Sequence, residues 1–169
     1  TDCDLAAKTS AVDSLIYRYR DLGHLQANTD PLSPDQSDHA ELNLAAFGLT
    51  EADLERTFYP LRFPQQSATL REIIALLKET YCGKIGVEFM HIQDPVKRTW
   101  LKQRMEEKRN QPQMNRAEQL HTLEKLQQAT LFEAFLHRKF LGQKRFSLEG
   151  GEVIIPLLDT LLTQSAERG

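Results

Sequence analysis

Thr69-Leu-Arg-Glu-Ile-Ile-Ala-Leu-Leu-Lys-Glu-Thr-Tyr81 is the clearest folding signal in the chain. Thr69 and Glu72 have the spacing of a capping box, in which each side chain satisfies the other's orphan backbone amide. Leu70, Ile73, Ile74, Leu77 and Tyr81 then recur at helical spacing and form one apolar stripe. Gly83 follows as a terminator. The spacing therefore predicts an amphipathic helix that ends near Tyr81 and packs its stripe against a core.

The same grammar repeats in both directions. Ser10-Ala-Val-Asp13 reads as a helix start, with Val12, Leu15, Ile16, Tyr19 and Leu22 inward. Gly23 is expected to close that helix in a left-handed conformation. Residues 28–40 hold Asn, Asp, Ser, Pro31 and Pro34, the composition of a loop. Thr50-Glu-Ala-Asp53 opens a short helix that Pro60 closes. Residues 85–92 read as extended, with Val87, Phe89 and Ile92 buried. Asp94-Pro95 is a cap followed by proline at the first helical position, and Trp100, Leu101 and Met105 mark that helix's inner side. Asn115-Arg-Ala-Glu118 opens another, with Leu120, Leu123 and Leu126 inward. Thr130-Leu-Phe-Glu133 reads as a break, after which Leu131, Phe135 and Leu136 belong to a further helix ended by Gly142. The last helix spans about 152–166, with Pro156 in its first turn, where the missing amide costs least. The fold class expected is mainly α: an irregular multi-helix domain with little or no sheet. Residues 1–9 are expected to be a flexible start and 10–169 a single helical domain.

Composition narrows the function. The 169 residues are 40% hydrophobic and 27% charged, as in an ordinary globular protein. The net charge of -3 gives no general attraction to nucleic acid or membranes. Charge is uneven: residues 1–60 carry 11 acids and 4 bases, whereas Lys97, Arg98, Lys102, Arg104, Lys108 and Arg109 crowd one stretch. That stretch is either a partner-binding face or the solvated side of a helix. Cys3 and Cys82 form no disulfide framework or paired metal motif, which fits a reducing, cytoplasmic compartment. No apolar run reaches the ~20 residues of a membrane helix. The chain lacks an initiating Met, which suggests a piece cut from a longer protein. His24, His39, His91, His121 and His137 show no metal-ligand spacing.

One segment has the residues for chemistry. Lys144-Arg-Phe-Ser-Leu-Glu-Gly-Gly151 places cations, a hydroxyl, a carboxylate and paired glycines ahead of an apolar helix. A half-buried Arg145 there could grip an anion or stack on a planar heterocycle through its fixed fork of donors, aided by the helix N-terminus. The alternative is a structural Arg145 bonded to nearby carbonyls, with Gly150 and Gly151 serving a tight turn.

Together with Tyr81-Cys-Gly-Lys-Ile-Gly-Val-Glu-Phe-Met-His-Ile92 and Tyr17-Arg-Tyr-Arg-Asp-Leu-Gly-His24, this segment resembles the thiamine-diphosphate-dependent dehydrogenase component of 2-oxoglutarate dehydrogenase complexes, in its N-terminal helical part only. Asp21 and Leu22 are small departures from the family's pattern. The resemblance implies an enzyme that decarboxylates 2-oxoglutarate and passes a succinyl group to a lipoyl carrier on a succinyltransferase component, within the tricarboxylic acid cycle. It implies thiamine diphosphate and Mg2+ as cofactors and a homodimer, with no nucleic acid or membrane partner. It places Arg145 in the cofactor pocket, assigns no catalytic or metal-binding residue to this chain, and makes His24, Glu88 and His91 possible pocket neighbours. The family's Gly-Asp-Gly metal motif and His-Arg-Gly-Arg motif are absent from the 169 residues. The isolated piece is therefore expected to be inactive, and both motifs are expected beyond Gly169. A 2-oxoadipate-type dehydrogenase and a non-catalytic helical scaffold remain alternatives.

Overall fold

A computed structural model describes residues 2–33, 38–61 and 63–168, and Pro34 of the predicted loop lies outside them. Five α-helices dominate the described residues: α1 (Asp2–Leu22), α2 (Leu70–Tyr81), α3 (Pro95–Lys108), α4 (Arg116–Lys139) and α5 (Ile154–Arg168). Among the described residues, strand is limited to β1 (Thr57–Phe58) and β2 (Ala68–Thr69), paired antiparallel with Thr57 opposite Thr69 and Phe58 opposite Ala68. The chain divides into two compact units, Thr1–Pro112 and Gln113–Gly169.

The first unit holds the core. Val12, Leu15, Ile16 and Tyr19 of α1 meet Leu70, Ile73, Leu77 and Tyr81 of α2, and Phe58, Leu42, Leu49, Cys82 and Phe89 close around them. The α2 cap forms as its spacing predicts: Glu72 N donates to Thr69 Oγ1, and Thr69 N donates to Glu72 Oε2 at 2.8 Å. Residues 85–92 form no strand, yet Phe89 is buried and Val87 and Ile92 pack against the core. Asp94 caps α3 through the amides of Val96 and Lys97, with Pro95 in the first turn.

Helix α1 begins at Asp2, eight residues before the predicted cap. Leu5-Ala-Ala-Lys8 contains no breaker, so the helix continues through Ser10, whose carbonyl accepts from Ser14 Oγ at 2.9 Å. Gly23 does not adopt the left-handed conformation; it starts a short 3-10 turn over Gly23–Gln26. A Cβ on Gly23 would stand 2.6 Å from Tyr81 Cβ, so the position is glycine because α2 passes too close for a side chain. Trp100, expected inside, is 55% exposed, whereas Leu101 and Met105 pack against the core as expected and Glu106 is buried beside them.

The second unit contains α4 and α5. Asn115 and Glu118 form the predicted capping box. The break expected at Thr130 does not occur. No Gly or Pro interrupts the helix there, and Thr130 returns its hydroxyl to Leu126 O at 3.1 Å rather than capping a new start. Asp159 of α5 accepts from His121 and Lys125 of α4, at 2.6 and 2.9 Å. No residue of α4 is buried, and in α5 only Pro156 is. Leu120 and Leu123, expected inward, are exposed, as are Leu131 and Phe135.

Asp53 anchors the turn between α1 and β1. Its buried carboxylate accepts from Lys8, from Arg56 at 3.1 Å, and from both the amide and hydroxyl of Thr50. The hydrogen bond from Lys8, aided by those from Thr50 and Arg56, outweighs desolvation and holds the Asp53 carboxyl well below the usual carboxylate range. A folded pKa below the unfolded one means that the carboxylate contributes stability above the unfolded value of ~3.9, and loses it as pH falls further. Urea midpoints should therefore drop more steeply between about pH 4 and about pH 2 in the native protein than in Asp53→Asn. Parallel acid limbs would show that Asp53 carries no such linkage.

Candidate functional site

The Lys144–Gly151 segment lies between α4 and α5. Arg145 is exposed rather than half-buried, and its Nη2 donates to His137 Nδ1 at 2.9 Å. A guanidinium can only donate, so His137 Nδ1 is the acceptor of this contact. His137 stands four residues after Glu133, which puts both on one face of α4. Glu133 Oε1 accepts from Leu148 N at 3.1 Å, and so tethers the segment to the helix. Glu133 Oε2 is buried and has no hydrogen-bond partner among the described residues. Gly150 sits at φ 84°, a left-handed turn that favours glycine, and Gly151 N donates back to Leu148 O. Helix α5 starts only at Ile154, three residues beyond Gly151, so its N-terminus does not open directly behind the glycine pair.

This arrangement can do one thing chemically. Arg145 is held by His137 through one nitrogen, which leaves the other donors of its fork directed to solvent for an anion or a planar ring. The donor set does not fit a metal: among the described residues no group of three or more His, Cys, Asp or Glu side chains could hold one. In the sequence His137 stood only among five histidines without metal-ligand spacing and Glu133 only in a helix-start signal, neither as a partner of residues 145–148. Their spacing on α4 was visible, but nothing indicated that residues 145–148 would fold back onto that face.

Within the first unit, His24 and Glu88 are brought together, with Nε2 and Oε2 4.0 Å apart. Gly86 lies against His24 and Thr29. His24 Nδ1 is buried and has no hydrogen-bond partner among the described residues. His91 lies apart from this pair on an exposed turn.

A second buried charge network, which sequence reasoning missed, joins Arg20 and Glu106. Arg20 Nε donates to Glu106 Oε1 at 2.7 Å and Arg20 Nη2 to Oε2 at 3.1 Å. The Tyr81 hydroxyl donates to Glu106 Oε1 at 2.8 Å. Burial, and then the Glu106 charge, push the Tyr81 hydroxyl far above its ordinary pKa, so it remains a donor. This fork joins α1, α2 and α3. Arg20 was legible as part of a basic-aromatic motif, but its partner lies 86 residues away. Burial also raises the neighbouring Cys82 thiol to about 11, which rules out a ready nucleophile.

No protein-family model matches the chain. Individual proteins do. It is 44% identical over 166 residues to the multifunctional 2-oxoglutarate metabolism enzyme of Mycolicibacterium vanbaalenii, covering 96% of this chain and 13% of that protein. It is 44% identical to the 2-oxoglutarate dehydrogenase E1/E2 component of Corynebacterium glutamicum, over 96% of this chain and 14% of the relative. Against the 2-oxoglutarate dehydrogenase E1 component of Cupriavidus necator it is 39% identical, over 99% of this chain and 18% of the relative. The chain thus spans less than a fifth of the length of these relatives. Along nearly its whole length, it is homologous to one segment of the 2-oxoglutarate dehydrogenase E1 component.

Proposed function

We infer that the chain is the helical segment of a dehydrogenase that decarboxylates 2-oxoglutarate and passes the succinyl group to a lipoyl-bearing succinyltransferase component in the tricarboxylic acid cycle. The observation that carries this reading is 39–44% identity along at least 96% of the chain to three proteins of 2-oxoglutarate metabolism. Thiamine diphosphate supplies the carbanion chemistry of such an enzyme, and Mg2+ holds its diphosphate. This chain's own contribution is positional: α4 and the 145–151 turn present Arg145, oriented by His137, to an anionic or planar edge of the cofactor. The enzyme works as a cytoplasmic homodimer, without nucleic acid or membrane partners. No helix among the described residues is long and apolar enough to cross a membrane.

The test uses the longer enzyme that carries this segment. It should turn over 2-oxoglutarate in preference to 2-oxoadipate, while the 169-residue chain alone should show no turnover. Arg145→Ala should weaken cofactor binding by about 1.5–3 kcal/mol, the range of a charge-assisted hydrogen bond. Arg145→Lys should also impair binding, because the charge remains while the fork is lost. Preference for the longer acid would reassign the substrate. Wild-type cofactor affinity in both variants, with a lowered melting temperature, would reduce Arg145 to a structural residue.

A further inference from the structure

The basic stretch on α3 separates into two groups. Lys97 pairs with Asp94, Arg109 pairs with Glu79, and Arg98 donates to Ile92 O at 2.8 Å. These three cations serve the fold. Arg104 and Lys108 have no carboxylate within ion-pair reach among the described residues, and neither has Lys84. All three lie on one groove of the first unit. One part of it, about 350 Å3, is floored by Ile85, Trp100, Met105 and Pro112 and rimmed by Arg104 and Lys108. The adjoining part, about 420 Å3, shares Ile85 and Pro112 and adds Lys84. Glu79 also borders it, but that carboxylate is engaged by Arg109.

The groove thus combines an apolar floor with a rim of unpaired positive charge. Trp100 and Ile85 are 55% and 43% exposed along it. The Arg104 guanidinium lies 4.9 Å from the centroid of the Trp100 ring. That stack fixes the cation over the floor while its edge stays open to a carboxylate. Exposed Trp and Arg at the centre of an apolar patch are the residue types that dominate binding energy at protein interfaces.

We propose that this groove docks an acidic, amphipathic polypeptide segment: apolar side chains on the Ile85–Trp100 floor, carboxylates on Lys84, Arg104 and Lys108. Charge complementarity selects this occupant. The unpaired charges of the rim are all positive although the chain as a whole is at -3. An apolar floor rewards leucine- or phenylalanine-type side chains, which a nucleic-acid backbone does not supply.

Trp100 is the only tryptophan, so its emission reports this groove alone. The 169-residue chain is titrated with a fluorescein-labelled peptide of alternating Glu and Leu, and both peptide anisotropy and Trp100 emission are followed. Saturable binding with a matching change in Trp100 emission is expected, and it should weaken as salt rises. Replacing Leu by Ser, or Glu by Lys, in the peptide should abolish it. Arg104→Glu with Lys108→Glu should weaken binding about tenfold, with far-UV circular dichroism unchanged because both side chains are exposed. If that double variant loses helix, Lys84→Glu alone carries the test and should weaken binding in the same direction. Three results overturn the proposal: no saturable binding, equal binding of the Lys-Leu peptide, or undiminished affinity in the folded charge-reversal variant. Equal competition by single-stranded oligothymidylate would reduce the groove to a plain anion surface and also overturn it.

Discussion

Glu106→Ala is expected to destabilise the Thr1–Pro112 unit by about 3–5 kcal/mol, the usual consequence of leaving one member of a buried ion pair behind. Glu106 accepts three hydrogen bonds from two partners, and its side chain and that of Arg20 are 3% and 8% exposed. Removing the carboxylate leaves a guanidinium that cannot deprotonate and a buried hydroxyl without that acceptor. Much of the loss is the cost of keeping these two donors buried without the carboxylate rather than the net worth of the pair. It follows that Arg20→Met with Glu106→Leu should be far milder than Glu106→Ala alone, since no charge is then left buried. Urea denaturation of both variants decides the matter. A Glu106→Ala midpoint within about 1 kcal/mol of wild type would mean that water or another group reaches Arg20, and that the network is not sealed.

The second large effect is expected at Gly23. Alanine there should cost about 1–3 kcal/mol, the range for overpacking a tight contact. Two terms compete. Alanine raises helical propensity by up to about 1 kcal/mol over glycine. Against that, its Cβ would stand 2.6 Å from Tyr81 Cβ, a separation that forces the end of α1 away from α2. The overlap involves the first carbon of a side chain on a regular helix, so no rotamer change relieves it. Thermal denaturation should show a lower melting temperature for Gly23→Ala. An unchanged or raised value would mean that α1 and α2 separate at little cost, and that glycine is not required there.

Much of the fold was legible because its signals are local. The caps at Thr69, Asp94 and Asn115 each involve groups within three residues, and all three form as their spacing predicts. Misreadings arose where the same residue types have two local uses. Thr130 can cap a helix or return its hydroxyl within one, and Ser10 follows a stretch without breakers, so at both positions the helix runs on. Trp100 was read as inward together with Leu101 and Met105, whereas α3 directs the polar Glu106 inward, because Arg20 and Tyr81 wait there to satisfy it. That choice depends on a partner 86 residues away and leaves no local trace. The candidate site was half legible. Lys144–Gly151 stood out by composition, yet its attachment to Glu133 and His137 depends on a loop folding back on the preceding helix.

Tyr81 enters three of these relations at once. Its Cβ limits the approach at Gly23, its hydroxyl donates to Glu106, and its ring stacks on Phe89 with centroids 6.1 Å apart. The backbone step that relieves a Gly23→Ala overlap also displaces the hydroxyl from Glu106 and the ring from Phe89. Changes at Gly23, Glu106 and Phe89 are therefore coupled rather than additive, although the three residues lie on different segments. A chain that drifts at one of these positions would have to accommodate the other two through Tyr81, so the four form a single unit of substitution.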